Sequence, residues 1–154
     1  MRLKINFLCV LMLTLLAGAV SPFGDVQAAP PRAPRAAVSA YDLILAMNTL
    51  RVSYGLPALI EDPIVNAVAQ ATADYMAANL MTWHIGDVRG RLAAAGYGGG
   101  ATVWATENFA VGTSMSIDTI MLAWSDYDHM RPAVIPAYCH VGAGVATASN
   151  GMTY

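Results

Sequence analysis

The stretch AMNTLRVSYGLPALIEDPIVNAVAQATADYMAANLMTWHIGD occupies residues 46–87, and its punctuation sets the architecture. The helix that enters it starts at Ser39, where SAYD (39–42) fits a capping box with Asp42 in the place more often held by Glu. Leu43, Met47, Leu50 and Tyr54 recur at helical spacing and predict its buried stripe. Gly55 is expected to close the helix in the left-handed region, and Pro57 prevents its resumption. Asp62–Pro63 predicts a second start, with Asp as cap and Pro in the first turn. Val65, Val68, Ala69, Thr72 and Met76 mark the apolar face of this second helix, expected to run to about Leu80. His84 follows it directly.

Upstream, Arg2 and Lys4 precede the apolar run FLCVLMLTLLAGAV (7–20), and VQA (26–28) offers a small-x-small cleavage pattern. Residues 1–28 therefore read as a signal peptide cleaved after Ala28, and the protein as secreted. The run is short for a bilayer span, so a membrane anchor is the lesser reading and the mature chain is expected to lack a transmembrane segment. AAPPRAPRAA (28–37) continues as an extended Pro/Ala-rich linker, placed at 29–38, and the domain as 39–154. What remains is one domain's worth of chain.

The formal net charge is −2, and every basic residue after position 28 is Arg. With no basic stripe, nucleic acid is not expected as a partner. Cys9 falls in the signal peptide, which leaves Cys139 alone and precludes an internal disulfide. Cys139 reads as a small buried apolar residue rather than a nucleophile.

Downstream, Asp87 is expected to cap a short third helix over VRGRLAAAG (88–96), and GYGGG (96–100) to form a flexible loop. No Gly-Lys-Ser/Thr follows, so it is not a phosphate loop. TVWATENFAVG (102–112) reads as extended chain around one acid, Glu107. Ser116 caps a fourth helix carrying Ile117, Ile120, Met121 and Trp124, and 125–137 is expected to be irregular around Pro132 and Pro136. Asn150–Gly151 is a hairpin signal with only Met152, Thr153 and Tyr154 after it. So short a return strand suggests that the sheet is completed beyond this chain.

Glu107 lies among Val103, Trp104, Phe109 and Val111, where an ionised carboxylate needs water or partners. His84 and His129 each stand beside a loop or extended segment, and Asp126 and Asp128 precede His129. Two neutral imidazoles and a carboxylate suffice for zinc with one position left to water, and equally for acid–base work near neutral pH. The other reading is that both histidines bond loop backbone and Glu107 is a solvated strand end. No HExxH or GxSxG occurs, and paired glycosidase carboxylates find no support in the spacing.

Taken together, residues 46–87, GRLAAAGYGG (90–99), ATENFAVG (105–112) and MLAWSDYDHMRPAVIPAYCHVGAGVA (121–146) resemble, in order, the CAP superfamily. These are cysteine-rich secretory proteins, antigen 5 and plant pathogenesis-related class 1 proteins, and the likeness is to the compact bacterial secreted type. The resemblance implies an α+β fold, a three-layer α–β–α sandwich around a central antiparallel sheet whose last strand is missing here. It also implies a cleft lined by two His and two acids that in several members holds a divalent metal, often zinc. By motif, His84 and His129 match the histidines and would be the metal ligands. Glu107 matches the first acid and is the candidate catalytic residue, and Asp126 lies near the place of the second. Thr106 and Pro132 depart from the Gly and Asn usual in the family.

Three functions follow from the resemblance: a binding module for a small apolar ligand (lipid or sterol) or an envelope component, a metal-dependent peptide or ester hydrolase, or a structural domain without ligand.

Overall fold

The computed structural model describes residues 37–154; the expected signal peptide and most of the expected linker lie outside the described residues. Helix α1 (Ala40–Ser53) opens on the capping box read from the sequence, with Ser39 and Asp42 bonding each other's backbone. Gly55 follows its end at φ +76°. Strand β1 (Ile60–Glu61) leads straight into α2 (Pro63–Ala78), where Asp62 Oδ1 accepts the Ile64 and Val65 N–H groups. Next come α3 (Val88–Ala94), a 3₁₀ turn at Tyr97–Gly100, α4 (Ile117–Ala123) capped by Ser116, α5 (Arg131–Val134) and β2 (His140–Val141). The segment expected to be wholly irregular thus contains one helical turn, opened by Arg131 and Pro132. No helix among the described residues is long and apolar enough to cross a membrane.

The stripe expected on α1 is displaced. Ile44, Met47 and Arg51 are the buried positions, while Leu43 and Leu50 are half-buried and Tyr54 is exposed. The cause is Arg51, 1% exposed. Its guanidinium donates to the carbonyls of Pro57 (2.6 Å), Pro132 (2.9 Å), Ile135 (2.9 Å), Pro136 (3.5 Å) and Tyr138 (2.9 Å). A buried cation normally needs a carboxylate; here a cage of carbonyl dipoles holds it. Around this anchor Met47, Leu59 and Ala133 form a core that Leu50, Met121, Trp124 and Tyr138 close.

The sheet corrects the expected antiparallel sandwich. Among the described residues the paired strands are β1 and β2, and they run parallel, Ile60 opposite His140 and Glu61 opposite Val141. Antiparallel pairing is confined to bridges joining Thr153 to Gly112 on one side and Thr147 on the other. The reason lies in what the backbone after β2 bonds to. Ala143 N–H donates to Asn66 Oδ1 (3.0 Å), and Gln70 clasps Val145, accepting its N–H (3.1 Å) and donating to its carbonyl (3.0 Å). Side-chain amides of α2 thus take bonds that a neighbouring strand would otherwise make. Gly142 and Gly144 permit the approach: a Cβ on either would stand 2.4 Å from α2 backbone atoms. The hairpin is formed as expected, with Ala148 N–H on Met152 (2.8 Å), Tyr154 N–H on Ala146 (2.8 Å) and Gly151 at φ +81° in the turn. What results is a mixed α+β fold.

Candidate functional site

Glu107 has acquired two partners. His84 Nδ1 stands 2.9 Å from Oε1, and Arg91 Nη2 donates to Oε2 at 2.5 Å. His84 is fixed further by Phe109, whose ring meets the imidazole edge-on at 4.7 Å. Arg91 is held from three sides: Nε donates to Gly86 O (3.0 Å), Nη1 to Thr72 Oγ1 on α2, and Nη2 to the acid. Its helix is short, so its start matters. Asp87 adopts φ +41° and accepts Gly90 N–H at 3.0 Å. A Cβ at Gly90 would overlap the Asp87 carboxylate, so a larger residue there would require that side chain to shift. That turn aims Arg91 at Glu107.

His129 and Asp126 form a separate pair. Asp126 Oδ2 lies 2.6 Å from His129 Nδ1, and Oδ1 accepts the His129 and Asp128 backbone N–H groups at 3.0 Å each. The His129 backbone N–H, then its side chain, holds the Asp126 carboxyl below its ordinary value. This loop adjoins the Glu107 segment through Asn108, whose Nδ2 donates to His129 O at 2.8 Å. Thus His84 meets Glu107, while the His129 ring meets Asp126.

Because a carboxylate only accepts, both imidazoles present Nδ1–H to their acids and leave Nε2 with its lone pair. That is the pattern in which a carboxylate orients a metal-binding histidine. Yet no group of three or more His, Cys, Asp or Glu that could hold a metal ion occurs among the described residues. Arg91, moreover, puts a cation on Glu107. The donors fit a two-imidazole site at most, not the three protein ligands of a catalytic zinc.

Glu107 also lines a cavity of about 240 Å³. Its wall is mainly apolar, drawn from α1 (Ile44, Met47), α2 (Val68, Met76), the 104–110 segment and Trp124, with Thr72, Glu107 and Asn108 among its polar members. Trp124 Nε1 donates to Phe109 O at 3.0 Å and so ties α4 to the Glu107 segment. Neither His84 nor His129 is among the residues lining it.

The model of the CAP cysteine-rich secretory protein family matches residues 44–154, a range containing all four of these side chains. The chain belongs to this family. A search of curated proteins found no match. Within this CAP domain, sequence reasoning missed Arg91 and Thr72; Arg91 shares the short helix VRGRLAA with a second cation, Arg89, and no local signal singled it out. Cys139, expected inside, is exposed. Its neighbour Tyr138 packs against the core instead, and the Tyr138 carbonyl accepts from Arg51.

Proposed function

We propose that this CAP domain is a secreted binding module that takes a small apolar ligand into its cavity. The observation that carries the reading is the apolar cavity of about 240 Å³ walled by α1, α2 and the Glu107 segment. The volume lies between the ~150 Å³ that admits benzene and the ~300 Å³ where drug-sized pockets begin. It therefore suits a short acyl or alkyl chain better than a sterol. Titrating the full chain with n-hexane, followed by tryptophan fluorescence, should give saturable one-site binding and a raised melting temperature. Linear, non-saturating change with no thermal shift would sink the proposal.

The orientation of both imidazoles supports a second reading, in which His84 and His129 hold a divalent metal such as zinc through Nε2. What supports it is the orientation of each ring by its carboxylate, and it is a reading of metal binding alone. Zinc titration by calorimetry decides it: one equivalent bound, and lost on His84→Ala and on His129→Ala alike, would establish the site.

A further inference from the structure

The third histidine, His140, also lines the cavity, together with Tyr97. His140 is exposed and Tyr97 half-buried, which places the pair where the cavity meets solvent. The Tyr97 hydroxyl lies 2.6 Å from His140 Nδ1, and the rings meet edge-on with centroids 5.8 Å apart. Trp104, 80% exposed, lines the same opening, with the Arg89 guanidinium 5.5 Å from its ring centroid.

A phenol is the better donor and an imidazole nitrogen the better acceptor, so Tyr97 O–H donates to Nδ1. Desolvation first, then the charges of Asp62 and Cys139, push the Tyr97 pKa up, which keeps that proton in place. With Nδ1 engaged, neutral His140 carries its own proton on Nε2. Nε2 has no hydrogen-bond partner among the described residues. The mouth of an apolar cavity thus offers one oriented, unpaired donor. Glu107 on the wall is already paired with Arg91, and Arg89 stands beside Trp104 at the same opening, so the donor calls for an oxygen acceptor whether neutral or anionic.

We infer that His140, positioned by Tyr97, is the head-group anchor of the cavity and selects an aliphatic ligand with a hydrogen-bond-accepting oxygen head over a bare hydrocarbon. This rests on the cavity reading above and names its specificity. Tyr97 acts through His140 and is a positioning residue.

The test uses the full chain with n-hexane, 1-hexanol and hexanoate, read by fluorescence of Trp104 and its neighbours. His140→Leu should weaken 1-hexanol about fivefold, the worth of one hydrogen bond, and leave n-hexane unchanged. His140→Gln, which keeps a donor, should retain most of the 1-hexanol affinity. Tyr97→Phe should convert the His140 ring from a single Nε2–H tautomer to a mixture, seen in ¹⁵N NMR. Hexanoate should lose affinity in His140→Leu as 1-hexanol does. Equal loss of n-hexane and 1-hexanol in His140→Leu, or no loss of either, overturns the anchor while leaving the cavity reading intact. Hexanoate affinity unchanged by His140→Leu overturns the claim that the anchor serves any oxygen head. Failure of all three probes to bind the unaltered chain removes the cavity reading and the anchor with it.

Discussion

Arg51 shows at the residue scale how one side chain can fix the register of a helix. Truncating it to Ala strands five carbonyls that now accept from it, without water to replace the donor. Arg51→Ala should lower stability by about 3–5 kcal/mol in urea unfolding, and Arg51→Lys should recover only part, because an ammonium cannot reach the forked set. A loss within error of an exposed-site substitution would refute the cage as a stabilising element. Asp126 gives a pH signature. Its pKa is lowered in the folded state by the His129 backbone and side chain, so its contribution is full above the ordinary value of 3.8 and fades as pH falls through the lowered one. Asp126→Asn should therefore flatten the acid side of the melting-temperature profile below about pH 4, leaving the neutral side parallel. Both residues illustrate what sequence makes legible. The Asp126–His129 pair is local, and its residues were already candidates. The Arg51 cage is built from carbonyls, which every residue has, so no side-chain pattern announces it.

At the scale of elements, caps and turns were the readable part: Ser39, Asp62, Asp87 and Ser116 all start helices, and Asn150–Gly151 turns a hairpin. These signals are local bonds between residues two to four apart, so they survive without tertiary knowledge. Strand direction was not readable in the same way, because it depends on what lies across. The sequence HVGAGVA offers small residues, and only the structure shows that their purpose is to admit α2. Gly144→Ala should force a Cβ into contact at 2.4 Å with the Gln70 backbone atom Cα, displace the Gln70–Val145 clasp, and cost about 1–3 kcal/mol in thermal or urea unfolding. Gln70→Ala should lose less, since a gap is milder than a clash. If Gly144→Ala proves neutral, the close seating of α2 is not required for the fold.

For the whole molecule, the cavity sets stability against occupancy. Ala73 is buried and lines it. Ala73→Leu should raise the melting temperature of the unliganded chain by filling space, while reducing n-hexane uptake in the same fluorescence titration. A variant that gains stability and still binds with undiminished affinity would separate the void from the binding site. The family resemblance implied one cleft for His84, Glu107 and His129, whereas the structure pairs the His84 ring with Glu107 and the His129 ring with Asp126. It could not foresee that Arg91 would share the acid, since the two come from positions sixteen residues apart. The Arg51 cage also bears on how the chain is made. Its acceptors in the 132–138 region lie 81–87 residues after Arg51. While a ribosome is still delivering the intervening segment, the finished first helix carries an uncaged cation and an incomplete core. The decisive closure is then a late, long-range event, which favours a single cooperative folding step over stepwise maturation from the N-terminus and slows it relative to a bundle of local contacts.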